Sequence, residues 1–175
     1  MSNATHYTNP ANAAPTDTAQ LGIATRTIDF AAYSLTHPQI VTTLLDRATA
    51  GVQIRLYLDR SELEAEARGN PALPNSPLAQ LLGVPNLYIK VKASMILMHL
   101  KSYLVDTRLL RDGSANFSPL GESEQDNSFT FTDDPAAVAA FSAKFADMWN
   151  RADNLSVTEA IETSAAYARE RASRH

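Results

Sequence analysis

The chain contains no cysteine, which removes disulfides, thiolate–zinc sites and thiol nucleophiles from consideration. No apolar run approaches the roughly 18 residues of a membrane span, and no basic start followed by a hydrophobic stretch marks a leader. The expectation is a soluble protein, cytoplasmic, or periplasmic or secreted if a leader has been removed. Glycine is scarce, at six residues, and none falls into the patterns that cradle nucleotide phosphates; no Gly-x-Ser-x-Gly elbow supports a Ser-His-Asp hydrolase. A surplus of positive charge is missing as well. Fifteen Lys and Arg stand against 19 Asp and Glu, a net −4, which is the reverse of what a phosphate backbone attracts.

What remains is enough for one ordinary globular domain: 175 residues, 45% hydrophobic, need no staples to fold. The charges are unevenly spread. Lys90, Lys92, Lys101, Arg108 and Arg111 fall close together in the chain, while Glu62, Glu64 and Glu66 and the pair Asp133-Asp134 lie elsewhere. That pattern predicts a locally positive cleft on an acidic body.

In chain order, residues 5–10 read as a short strand stopped by Pro10, and 12–18 as a loop or weak helix start. Residues 27–34 read as a central strand, followed by a helix with Thr36 and Pro38 at its start, a stripe of Ile40, Val41, Leu44, Leu45 and Ala48, and Gly51 at its end. Residues 52–59 alternate as a strand, so this strand–helix–strand unit predicts parallel pairing. The Pro-rich stretch from Arg60 to Asn75 reads as a lid or rim, with a short charged helix over 62–68. A short helix over 77–82, a strand over 87–92, a strand over 128–132, a helix after Asp133-Asp134-Pro135 and a last Ala-rich helix over 155–175 complete the pattern. The stripe Val138, Phe141, Phe145, Met148 and Trp149 reads as core rather than as a base-stacking platform.

The chemistry concentrates in Met98–Asp106 and Gly113–Ser118. Read as a strand from Met98, the first stretch points His99 and Lys101 to one face, ~6.5 Å apart along it. Ser114 and Asn116 repeat that spacing after the turn at Asp106. An imidazole, an ammonium, a hydroxyl and an amide converging on one spot are what a transferring phosphoryl group needs.

These residues meet one long pattern at every position: His99-x-Lys101, four residues, Asp106, six residues, Gly113-Ser114-x-Asn116. The pattern resembles the HKD motif of the phospholipase D superfamily, most closely its small single-motif bacterial endonucleases, with Ile28–Thr36 and Gln125–Asn127 as flanking matches. The resemblance implies an α/β fold, a mixed central β-sheet flanked by helices on both faces, over residues 5–150, with residues 151–175 as a C-terminal helix. It implies His99 as nucleophile and proton donor, Lys101, Ser114 and Asn116 as phosphate ligands, Asp106 and Gly113 as structural residues, and no metal or cofactor. Because only one motif is present, it implies a homodimer whose subunits share one active site. Nucleic acid is the implied substrate, with a phospholipid such as cardiolipin as the alternative, and a catalytically weak nucleic-acid-binding member as a further one.

The family also places an acid before Asn to orient the histidine. Asp126-Asn127 matches it, one residue closer to the motif and with Asp for Glu; Glu122 and Glu124 compete for the role but read otherwise as solvated loop. His6 and His37 form no ligand cluster. Tyr33 and Ser34 either border the pocket or pack in the core. Met95–Met98 read as an edge of core or, for a lipase, an apolar rim.

Overall fold

The structure, a computed structural model, describes residues 4–8 and 12–172, the side chains of 165–172 excepted. Its strands are β1 (Ala4–Tyr7), β2 (Thr27–Ala32), β3 (Gln53–Leu58), β4 (Leu87–Val91), β5 (Lys101–Val105), β6 (Leu109–Gly113) and β7 (Ser128–Thr132). They form one sheet in the order β1-β7-β6-β5-β2-β3-β4. Strands β2, β3 and β4 run parallel, and the remaining pairs are antiparallel. The mixed sheet is thus the expected one, and the parallel β2–β3 pair follows from the strand–helix–strand pattern.

The helices are α1 (Ala14–Gly22), α2 (Pro38–Thr49), α3 (Arg60–Ala67), α4 (Pro119–Ser123), α5 (Pro135–Trp149) and α6 (Val157–Ala172), with a 3-10 turn over Pro77–Leu81. Ile28, Phe30, Ile54 and Leu56 face a core shared with Leu21, Ile40, Val41, Leu44 and Ile161, from α1, α2 and α6. Ala31, Tyr57, Leu104 and Leu110 face Phe141, Phe145 and Met148 of α5. Alternation along each strand therefore serves two cores, and β5, sandwiched between them, is buried at every position.

Of the two readings of residues 12–18, the helix start holds: α1 begins at Ala14, and its polar Asp17 is buried on a charge partner rather than solvated. Two other expectations need correction. The segment from Arg60 to Asn75 is no free lid, since Leu63, Ala67 and Leu73 sit in the main core; Asp59 caps α3 by accepting from the Ser61 and Glu62 N–H groups. The motif strand begins at Lys101, two residues after His99. Residues 98–100 are held in line by other means: the Asp59 carboxylate accepts the Met98 N–H at 2.6 Å, and Tyr33 donates its N–H to the Leu100 carbonyl at 2.9 Å. The expectation that Pro10 stops the first strand, and the reading that Ala165, Ala166, Ala168 and Ala172 of the last helix bury little, fall outside what the structure describes.

Candidate active site

Strand polarity decides where the motif meets. Ala32, at the carboxyl end of β2, is level with Leu58 of β3 and Lys101 of β5. Strand β6 returns antiparallel to β5, so its last residue, Gly113, comes back to that end, where it pairs with Phe129 near the start of β7. His99, Lys101, Ser114, Asn127 and Tyr33 therefore gather at the carboxyl ends of the parallel strands, the usual ligand edge of open α/β sheets. The Asp106 end of β5 is the other end of the sheet.

His99 is exposed, and its ring lies edge-on to Tyr33 at 4.5 Å between centroids. Lys101 is 4% exposed. Its Nζ donates to the His99 carbonyl at 2.8 Å and sits 4.5 Å from the Tyr33 ring centre. Burial pushes its pKa down to about 8, against the pull of Glu62 and Asp59, whose negative charges favour the cation. Tyr33, left open between rim and core by the sequence, is thus the floor under both motif side chains.

Ser114, Asp126 and Asn127 line a second hollow of about 270 Å³ with Tyr7, Thr8 and Ser128. Ser114 Oγ donates to Asn127 Oδ1 at 3.0 Å and accepts the Ser128 N–H at 3.1 Å, while Asn127 Nδ2 donates to the Gly121 carbonyl at 3.1 Å. Asn127 ties the Ser114 loop to Gly121, a role not read from the sequence. Asp126 is exposed at this hollow. Asn116 keeps a buried Oδ1 without a hydrogen-bond partner, the kind of uncommitted group that ligand sites retain. Two glycines allow the crowding. A Cβ on Gly113 would come within 2.3 Å of the Ser128 carbonyl oxygen, and one on Gly121 within 2.4 Å of the Asn116 carbonyl oxygen.

Asp106 has a different kind of position. Its Oδ1 accepts the N–H groups of Arg26 and Thr27 at 2.8 and 2.9 Å, and its Oδ2 the N–H and hydroxyl of Thr25, both at 2.9 Å. Burial opposes its charge, but these bonds outweigh it and hold the carboxyl below its ordinary pKa. They also stabilise a turn in which Asp106 and Thr107 both have positive φ, 52° and 56°, an uncommon conformation for a β-branched residue.

Among the described residues, the five basic side chains near the motif do not gather in one cleft. Arg111 is wholly buried, Lys90 donates to the Trp149 carbonyl at 2.8 Å on the α5 side, and Arg108 follows the turn at the far end. Lys92 is spent on the carbonyls of Ile96 and Leu97. Glu122, read as solvated loop, is 0% exposed and 3.7 Å from Arg111, away from the role of orienting His99. Met95, Ile96 and Leu97 are 60, 77 and 48% exposed, and only Met98 is core. A larger cavity of about 720 Å³ lies on the α5 side toward the Asp106 end, lined by Asp29, Arg55, Tyr88, Lys90 and Trp149; Arg55 is there paired bidentately with Asp29 at 2.7 and 2.6 Å, and none of His99, Lys101, Ser114 and Asn116 lines it. Among the described residues, no three His, Asp or Glu are grouped as a metal site would require.

This end-of-sheet cluster brings together an imidazole, a desolvated lysine, a serine and an asparagine, the donor set that phosphoryl transfer uses. Residues 18–149 match the family model described as cardiolipin synthase, PLD-like domain, and the chain belongs to that family of the phospholipase D superfamily. It is 25% identical over 130 residues to the mitochondrial cardiolipin hydrolase of Chlamydomonas reinhardtii, covering 74% of this chain. The chain spans only 54% of that curated relative. Its fold is shared with a phospholipase D family member, Nuc from Salmonella typhimurium, at 20% identity and TM-score 0.71, covering 88% of this chain and 97% of that one. NucT from Helicobacter pylori gives the same TM-score and identity over 84% of this chain and 94% of that one.

Proposed function

We propose that the chain is a metal-independent phosphodiesterase, acting as a homodimer with one shared active site, and that its substrate is nucleic acid. The observation that carries this reading is one exposed imidazole, His99, beside one desolvated ammonium, Lys101, at an open edge of the sheet. In-line displacement at phosphorus needs a nucleophile on one side and a proton donor on the other. One motif supplies one imidazole, and a twofold axis between two His99 rings supplies the second.

In the first step a His99 nitrogen bonds to phosphorus, the P–O bond to the leaving group breaks, and the partner's His99 gives that oxygen its proton. In the second step water attacks the phosphohistidine, passes a proton to the partner's His99, and the P–N bond breaks to release the phosphomonoester. Lys101, Ser114 and Asn116 of both subunits hold the non-bridging oxygens, with two ammonium groups supplying the charge that a divalent metal would otherwise bring. Asp126 is the proposed acid that orients His99.

Nucleic acid is favoured by the resemblance to single-motif endonucleases and by a shared fold that covers nearly all of Nuc and NucT. The apolar tip Met95-Ile96-Leu97, three positions before His99, supports a second reading, a phospholipid such as cardiolipin. One assay separates them: single-stranded DNA, duplex DNA and cardiolipin vesicles in parallel, with EDTA throughout. Cleavage of DNA in EDTA is expected; cleavage of cardiolipin alone moves the substrate to lipid, and activity restored only by added metal overturns the mechanism.

A further inference from the structure

Directly behind the motif lies a charge cluster that the reaction does not use. Asp17 on α1, Arg111 on β6 and Glu122 on α4 are each fully buried. Arg111 NH2 donates to Asp17 Oδ2 at 3.2 Å and approaches Glu122 Oε1 at 3.7 Å, while the Tyr103 hydroxyl donates to Asp17 Oδ1 at 2.6 Å. Phe117 and Phe129 close on the guanidinium, their ring centres 4.5 and 4.8 Å from it. One cation therefore faces two carboxyls in a dry space, where an unbalanced charge is strongly disfavoured. Neutrality requires one proton on the two acids. Glu122 is the better holder of it: no N–H or hydroxyl donates to its oxygens, and its carboxyl is within hydrogen-bond reach of Asp17, whereas Asp17 receives bonds from Tyr103 and Arg111.

The cluster reaches the site through Arg111. Its NH1 donates to the Lys101 carbonyl at 2.6 Å and to the Ala115 carbonyl at 3.2 Å. A single guanidinium thus ties the start of the His-x-Lys strand to the loop carrying Ser114 and Asn116, the two halves of the phosphate pocket.

We infer that Glu122 is a positioning residue for phosphate binding: protonated, it leaves Arg111 balanced between Asp17 and the carbonyls of Lys101 and Ala115, and on ionising it draws the guanidinium away and loosens the Ser114–Asn116 loop. This rests on the phosphodiesterase reading for its catalytic consequence, but not for the proton itself. Burial, then the nearby Asp17 charge, push Glu122 up to about 8, with Arg111 opposing. The other groups facing the cluster do not interfere: burial drives Tyr103 well above 10, and burial holds His37, near Asp17, below 6.5. Burial also raises Asp17, which shares the single proton with Glu122, and Lys101, in the adjoining pocket, titrates in the same window.

The test compares wild type with Glu122→Gln, which mimics the protonated acid, between pH 5 and 9. Because Glu122 is raised above its unfolded value of 4.5, its stabilisation is complete below that pH and is lost as pH rises through about 8. The Tm of Glu122→Gln minus that of wild type should therefore grow with pH, by ~5 °C or more. The amide resonances of Ser114, Ala115 and Asn116 should show a step near pH 8 in wild type that Glu122→Gln lacks. On bis(4-nitrophenyl) phosphate, log kcat should fall more steeply above pH 8 in wild type than in the variant, where the two Lys101 of the shared site still titrate. A Tm gap that does not change with pH, or identical amide titrations, overturns the inference. Absence of turnover in both proteins would instead fail the phosphodiesterase reading, while the Tm and amide data would still decide the role of the proton.

Discussion

The two ends of β5 carry residues of one motif in opposite conditions. At its start, Lys101 is charged against its surroundings: burial lowers its pKa to about 8, and its ammonium has one carbonyl and one aromatic face for company. At its end, the Asp106 carboxylate is charged with the full support of its surroundings, taking four donated hydrogen bonds that lower its pKa. Groups held at the expense of stability are candidates for chemistry, and groups held by complete hydrogen bonding are candidates for architecture. Four residues of strand, Ser102 to Val105, separate the two.

Substitutions can break this contrast. The largest effect is expected at the catalytic end: His99→Ala should lower kcat by ~10³ or more while Tm stays within ~2 °C, because the ring is exposed. Residual turnover near wild type would move the chemistry elsewhere. Lys101→Met should also abolish turnover yet raise stability. A depressed lysine pKa means its stabilising contribution is complete only above the unfolded value of 10.5 and is lost as pH falls through about 8. The gain from Lys101→Met should thus be greatest below pH 8, as urea titrations at pH 7 and 10.5 would show. Lys101→Arg should not rescue, since a planar fork replaces a point charge.

Asp106→Asn should invert the pattern, with ~1–3 kcal/mol less stability at pH 7 from weakened bonds to the turn and kcat within a few-fold for the folded fraction. Because the folded pKa lies below 3.8, its contribution is present above that value and lost as pH falls through the folded pKa. The deficit relative to wild type should then close in acid denaturation curves. The smallest effect is expected at the apolar tip: Ile96→Ser, at a side chain 77% exposed, should change stability by less than ~0.5 kcal/mol. If it sharply reduces cleavage of vesicle lipid while leaving DNA cleavage intact, the lipid reading gains.

Local pattern made much of this legible. The stripe of α2, the alternation of β3 and the spacing of His99, Lys101, Asp106, Ser114 and Asn116 are short-range features; they located the sheet and singled out the residues that the fold brings to one of its ends. Charge did not read the same way. Arg111, Asp17 and Glu122 look like surface residues in sequence because each is polar, and only the fold shows that three distant segments bury them against one another. Tyr33 and Asn127 stood out in the sequence, but what they support did not, because it lies 66 residues further along for His99 and 13 residues earlier for Ser114. The separation in sequence, not the chemistry, concealed these roles.

The central claim is that two His99 rings share one site. Wild type mixed with equal amounts of His99→Ala and allowed to exchange subunits at random gives about a quarter of dimers with both histidines. The shared site predicts that activity falls to about that quarter of what the same number of wild-type dimers would give. Activity that instead follows the half of chains that are wild type, or a fully active dilute monomer, would contradict it.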